Sequence, residues 1–360
     1  MPNESSATGK QRTPKGLLRQ AAANALHYSG LVRFLGGETP WRILMYHRII
    51  DPREVAYPLQ PGMYVKPETF ARQIEYLAAE ARVIPLEVLL EEITSGAEIP
   101  KRTVVITFDD GWEDNYRTAL PLLERHQLPA TVFLATSFVG TARAYWSDEI
   151  AQALHLLGQE RKFIPTVCTR LEESEIINDA AAQKVRRMLE VPTGASSSEA
   201  LDDLVEFLKK LPYEERRQAV NTILTLAKEF TSTPLSRSFV TWEEVHDMAA
   251  RGISFGNHSH HHQPLVELTE ARVKDEIDHA LQEFRAHSIE PVSAFCYPRG
   301  AYNDMTQAAL SDKGIAFALT TEREDNLAAR PALLGRIGIH EDIASTVPLF
   351  SSRIWVSNTF

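Results

Sequence analysis

The sequence predicts an α/β protein with a mainly parallel sheet, interrupted by a helical insertion. Three observations carry that expectation. Short β-branched apolar runs alternate with helix-length amphipathic stretches from Arg42 onward and again from Thr241 to His340, the pattern of parallel strands joined by helices. Two strand-like runs end abruptly in chemically active side chains, one in Asp109-Asp110-Gly111 and one in His258-Ser259-His260-His261-His262. From roughly Ala151 to Thr233 strand signals nearly vanish and helical stretches take over.

The chain of 360 residues is long enough for one large α/β domain with something added. Its formal net charge of −10 runs against general nucleic-acid binding, which needs a basic surface. Cys168 and Cys296 lie far apart and make no disulfide framework. No stretch approaches the ~20 apolar residues of a membrane span. Met1–Lys10 is polar and lacks the apolar core of a secretory signal, so the expected location is cytoplasmic.

The chain is organised around Thr103-Val104-Val105-Ile106-Thr107-Phe108-Asp109-Asp110-Gly111-Trp112. It reads as a buried strand delivering side chains to its C-terminal rim. Neighbours on a strand point to opposite faces, so Asp109 and Asp110 play different roles unless the chain bends, and Gly111 permits a bend. Two carboxylates this close repel, and need a cation or a proton between them. Taken alone, a strand followed by an Asp-Gly turn fits as well.

In the second stretch His258 and His262 are four apart, which on a helical turn puts both imidazoles on one face. Two imidazoles and a carboxylate suit zinc or a similar divalent ion. A solvated polyhistidine loop is the alternative. The run lies inside the chain, however, between Gly252-Ile253-Ser254-Phe255 and Pro264-Leu265, and is no terminal tag.

Together the two stretches resemble the polysaccharide deacetylase family, carbohydrate esterase family four. Thr107-Phe108-Asp109-Asp110-Gly111 matches the family's first motif, and His258-Ser259 with His262 matches its second. The resemblance implies a distorted (β/α) barrel and metal-dependent removal of an N- or O-acetyl group. It implies Asp109 as general base and Asp110, His258 and His262 as ligands of one divalent metal, zinc first, with cobalt, nickel or manganese also suited. Where the family's third motif places an arginine two residues before a proline, this chain has Cys296, then Tyr297-Pro298-Arg299-Gly300. The arginine that steadies the base is thus absent from its usual position. Arg299 stands in place of an aromatic residue, to bind substrate or pair with an acidic group, and a backbone N–H there is placed to serve the oxyanion. The last motif points to His340 as general acid, with His47 and His261 as rivals.

In order, residues 1–40 form a leader: a disordered start, then a helix over Pro14–Leu35. Its apolar set is Leu17, Leu18, Ala22, Leu26, Val32 and Leu35, edged by Lys15, Arg19 and Arg33. Such a helix either packs on the barrel or makes peripheral membrane contact. Residues 41–150 and 234–349 are the deacetylase barrel, opening with Arg42–His47 and resuming at Thr241, an N-cap with Glu244 at the capping-box position. Residues 151–233 are the insertion, a lid, a partner surface or a substrate-selecting cap, with a flexible break at Pro192–Ser198. Trp146, in a loop before it, either stacks on a sugar ring or packs on the rim. Residues 350–360 form a tail packed on the barrel.

The expected function is metal-dependent deacetylation of an N-acetylated sugar or of a polysaccharide or lipopolysaccharide precursor. Pro298, Arg299 and Trp146 are the candidate substrate contacts. Hydrolysis of a non-sugar amide or imide on the same fold is an alternative reading. A silent carbohydrate-binding relative is another, and the presence of Asp109 and all three ligand residues argues against it.

Overall fold

The computed structural model describes residues 13–33, 40–55, 58–158, 169–170, 204–230, 238–322 and 333–356. The chain divides into two compact units. The first comprises Met1–Pro52, Pro61–Thr141 and Ser238–Phe360, the second Arg53–Gln60 and Ala142–Arg237.

The first unit is a distorted (β/α) barrel built on one curled parallel sheet. Its strands are β1 (Trp41–Tyr46), β4 (Arg82–Val83), β5 (Thr103–Asp110), β6 (Ala130–Leu134), β7 (Ile253–Asn257), β8 (Ala294–Cys296), β9 (Phe317–Leu319), β10 (Leu333–Leu334) and β11 (Ile337–Gly338). The order is β10-β9-β8-β7-β6-β5-β1-β11, with β4 beside the start of β5, and every pairing is parallel. A small parallel pair, β2 (Arg48–Ile49) with β3 (Tyr64–Val65), stands apart.

The two ends of this sheet are consecutive in sequence. Only Gly335 and Arg336 join β10 to β11, a link that spans at most about 11 Å when extended. Eight strands laid flat at their usual spacing would hold their edges roughly 34 Å apart. The sheet therefore has to curl until its edges nearly meet, and the link crosses the seam. The run Leu333–His340, apolar on both sides of Arg336, forms two short strands for this reason.

β5 is buried along its whole length. Val104, Ile106 and Phe108 pack outward with Phe70, Leu77 and Leu120. Val105 packs inward with Ile43, Phe133, Leu319 and Leu334. By the period of two, Thr107 and Asp109 share the inward face. Helices cover the outside. Pro67–Glu80 and Leu86–Ser95 follow the pattern closely, and Trp242–Ala250 starts with the expected capping box, Thr241 N donating to Glu244 Oε2 at 2.9 Å.

Helix Pro14–Tyr28 packs on the first unit, but with its polar side inward: Arg19 Nη2 donates to the Ile343 carbonyl at 2.9 Å. Of the two readings offered for this helix, packing holds, but over most of its length it is the polar side that packs, with Ala23 and Val32 buried. The C-terminal helix Val347–Trp355 buries Phe350, Ile354 and Trp355 in the same core.

Among the described residues of the second unit, helices Trp146–Gly158 and Tyr213–Phe230 are the long elements. Leu59, Ala151 and Val205 form a small core there, with Trp146 packed against it. Arg216 is buried and its guanidinium lies 5.9 Å from the Trp146 ring centroid. The expected helix over Glu173–Leu189, the break at Pro192–Ser198 and Cys168 lie outside the described residues.

Candidate metal and catalytic centre

The C-terminal ends of β5, β7 and β8 converge on one buried cluster. Asp109 and Asp110 both reach it because the chain bends one residue earlier than expected: Asp110 itself adopts φ +78°, and Gly111 follows at +81°. A left-handed backbone at a non-glycine residue costs of order 1–3 kcal/mol, and persists where the surroundings impose it. Here β6 pairs with both aspartates, opposite Phe133 and Leu134, and the Gly111 carbonyl accepts from Val240 N at 2.9 Å. A side chain at Gly111 would bring its Cβ within 2.5 Å of Leu134.

His258 follows β7, with its backbone N–H bonded to the Leu134 carbonyl at 3.0 Å. The expected helical turn between His258 and His262 is not what forms. Ser259 and His262 both have positive φ, at +66° and +56°. Asn257 Oδ1 accepts from Ser259 N at 2.8 Å, and Ser259 Oγ accepts from His262 N at 3.0 Å. Glu276, on helix Glu270–Ala286, clamps the outside of the loop. Its Oε2 accepts from His260 N at 3.1 Å and His261 N at 2.7 Å, while Oε1 lies 2.7 Å from His261 Nδ1. The tight turn brings the His258 and His262 ring centroids to 4.9 Å.

Asp110 Oδ1 lies 3.6 Å from His258 Nε2 and 3.3 Å from His262 Nε2. One ligand atom from each of these residues falls within 4.8 Å of the others. Nδ1 of His258 is 2.7 Å from the Cys296 carbonyl, and a carbonyl only accepts, so the proton sits on Nδ1 and the Nε2 lone pair faces Asp110. Burial pushes both imidazoles down to about 4, against the pull of Asp109, so both are neutral at pH 7. Two neutral imidazoles around a carboxylate oxygen fit a divalent cation. Trp112 Nε1 donates to the other oxygen, Asp110 Oδ2, at 2.8 Å. The Trp112 ring is fixed by stacking on Phe239 at 4.6 Å and by the Arg48 guanidinium at 4.4 Å.

Asp109 has a different partner. Arg336 Nη1 donates to Oδ1 and Nη2 to Oδ2, each at 2.7 Å. Nη1 also reaches Thr107 Oγ1 at 3.3 Å, and Nε donates to the Thr320 carbonyl at 3.2 Å. Arg336 is fully buried in the seam. Burial alone would raise the Asp109 carboxyl, but the Arg336 charge and its hydrogen bonds hold it well below the usual carboxylate range. An arginine thus steadies Asp109, supplied by the β10–β11 link in place of the position held by Cys296. Cys296 instead offers a thiol, pushed well up by burial, with Sγ 3.5 Å from Asp109 Oδ1.

The remaining candidates fall at different places. His47 Nε2 lies 3.9 Å from Asp109 Oδ2. His340 caps helix Glu341–Ala344. By register, β11 pairs with β1 and β1 with β5, so His340 lies level with His47 and Asp109 at the same rim, with β1 between. His261 is engaged by Glu276. Pro298 is buried, whereas Arg299 has φ +60° and a guanidinium nitrogen 3.8 Å from Glu267 Oε1. The Arg299 charge also bears on His262. Gly300 is required by contact as well as by its φ of +69°, since a Cβ there would meet Thr321 N at 2.7 Å. Trp146 packs within the second unit.

The sequence profile described as "Polysaccharide deacetylase" matches residues 96–190 and 211–318, more than half of the chain. A poly-beta-1,6-N-acetyl-D-glucosamine N-deacetylase of Staphylococcus epidermidis is 36% identical over 107 residues, covering 27% of this chain and 37% of that protein. A protein of the same description from Staphylococcus aureus is 35% identical over 89 residues, or 24% and 30% of the two chains. The match thus spans about a third of these relatives' length. Among solved structures, IcaB from Ammonifex degensii superposes with TM-score 0.53 at 16% identity, covering 88% of this chain and 97% of that one. The Streptococcus pyogenes deacetylase PplD in complex with acetate gives 0.52 at 18%, covering 85% and 96%. At these identities the superpositions speak for the fold alone. With the profile match laid over the aspartate and histidine strands that build the centre, the chain belongs to the polysaccharide deacetylase family.

Proposed function

We propose that this chain is a metal-dependent N-deacetylase of a glucosamine-containing glycan or glycan precursor. The observation that carries the reading is the facing of Asp110 Oδ1 by two imidazole nitrogens at 3.3 and 3.6 Å, beside an aspartate held ionised by Arg336. A divalent ion, zinc for this donor set, would be held by Asp110, His258 and His262 and would supply Lewis acidity toward the acetyl carbonyl and toward water.

The chain's own groups supply the rest. Asp109 accepts the proton of the attacking water. Held down by Arg336, it is ionised at neutral pH and is a weak base, so it works by orientation and charge as much as by basicity. The backbone N–H of Arg299 is proposed to hold the developing oxyanion, since Pro298 has none and that of Gly300 donates to the Tyr297 carbonyl at 2.8 Å. His340 returns a proton to the leaving amine as the C–N bond breaks, giving acetate and the free amino sugar. His47 is the second candidate for that step, favoured by its 3.9 Å approach to Asp109. Arg299 is proposed as a sugar contact. The substrate class is supported by the names of the staphylococcal relatives.

The test is acetate release by purified protein from oligomers of β-1,6-linked N-acetylglucosamine, from β-1,4-linked oligomers and from an acetylated non-sugar amide, with and without chelator. Chelator-sensitive release from a sugar substrate supports the reading. Release from the non-sugar amide alone would replace it with a general amidase.

A further inference from the structure

The helix Pro14–Tyr28 is turned inside out relative to the unit that carries it. Its inward side is mostly polar: besides Arg19 on the Ile343 carbonyl, Gln20 Nε2 donates to Thr346 Oγ1 at 3.2 Å, and His27 Nδ1 lies 2.9 Å from Ser351 Oγ. Its outward side carries Leu17, Leu18, Ala21, Ala25 and Tyr28, with Leu31 in the next turn. These spacings keep the five helical residues on one stripe about 100° wide. Leu17 is 60% exposed, Leu18 72%, Tyr28 77% and Leu31 54%. Among the described residues these are the large apolar side chains that stand mostly exposed. Scattered exposed leucines need no explanation, but their concentration on a single face marks a binding surface.

Charge decides the occupant. Besides the inward-turned Arg19, residues 1–33 carry Lys10, Arg12, Lys15 and Arg33 against the single acidic Glu4, in a chain whose net charge is −10. A second copy seated on the stripe would bring two such basic segments together. An anionic lipid surface would instead pair with them while covering the leucines, and a tyrosine is at home in the headgroup layer. We propose that this face of the leader helix seats on an anionic membrane surface. The apolar stripe enters the headgroup–acyl boundary, and the exposed Lys15 beside it rests on lipid phosphate.

The experiment is co-sedimentation of the full chain with vesicles of phosphatidylcholine alone, or mixed with phosphatidylglycerol, at low and raised salt. The expected result is partition onto the mixed vesicles, about tenfold or more weaker on phosphatidylcholine alone and at raised salt. Leu17→Glu with Leu18→Glu should abolish it while leaving the thermal midpoint unchanged, because both side chains already face water. If that variant is unfolded, Leu17→Ala with Leu18→Ala takes its place, with a graded loss expected. No binding to the mixed vesicles would overturn the proposal, as would binding that the substitutions do not weaken. A concentration-dependent dimer dissolved by the same substitutions, with vesicles ignored, would assign the face to a second copy.

Discussion

Arg336 grips Asp109 through both carboxylate oxygens, at 2.7 Å each, across a sequence separation of 227 residues. Neither side chain is accessible to solvent to any useful extent. Removing one partner of such a buried pair strands the other charge, which typically costs about 3–5 kcal/mol. Arg336→Ala should therefore lower the unfolding free energy by about that much, as read by denaturant titration. Arg336→Lys should keep the charge but lose the two-pronged grip. It is expected to fold, to hold metal as the parent does, and to turn over more slowly.

Asp109→Asn should leave metal stoichiometry intact, since Asp110, His258 and His262 are untouched. Turnover should fall by about 10²–10⁴-fold, the usual yield of a positioned base. Metal analysis on the same preparation as the rate measurement separates the two roles. Metal lost along with activity would put Asp109 among the ligands.

Trp112→Phe should keep the ring that stacks on Phe239 and under Arg48 while deleting the N–H that bonds Asp110 Oδ2 at 2.8 Å. Loss of such an outer hydrogen bond commonly weakens metal affinity by about 10–100-fold. Competition with a chromophoric chelator reads that number without reference to activity.

His340→Ala and His47→Ala distinguish the two proposed proton donors. The true donor's variant should hold metal normally, lose turnover on an amide, and lose less on an acetate ester, whose alkoxide leaves with less need of a proton. If both variants match the parent on the amide, the proton comes from elsewhere.

The second unit's main segment leaves and rejoins the barrel at one place, where Gly140 N donates to the Val240 carbonyl at 2.9 Å. Replacing residues 142–237 by a short Gly/Ser linker closes a small gap, and loop-closure entropy changes slowly with length. The shortened protein should be soluble and should bind one divalent ion per chain in a metal titration. An insoluble product would show that the segment covers apolar surface the barrel cannot expose.

The grouping of Asp110, His258 and His262 was readable because each sits at the end of a strand whose apolar run is plain in the sequence. Parallel strands in one sheet bring such ends to a common rim. The means were less readable. Left-handed backbones at Asp110, Ser259 and His262 are uncommon for non-glycine residues, and although Asp and His adopt them more often than most, nothing local marks which of them will. Arg336 was legible only as an anomaly, a lone charge among Leu333, Leu334, Ile337 and Ile339. A buried charge demands a partner, and that demand was the available signal. Which carboxylate answers it depends on the curling of the whole sheet. The orientation of the leader helix was left open for a related reason. Its apolar stripe is real, but periodicity reports that a stripe exists and not which neighbour it faces.

The seam has a consequence for how the protein comes into being. A chain made from its N-terminus exposes Asp109 long before Arg336 is translated, so a nascent barrel carries its aspartate pair without the arginine that balances it. The Gly335–Arg336 link then joins the two sheet edges and delivers the guanidinium in one event. Maturation of the site is thereby tied to arrival of the last strand, and a ribosome-bound or truncated product ending before Gly335 can have neither a closed sheet nor a seated base.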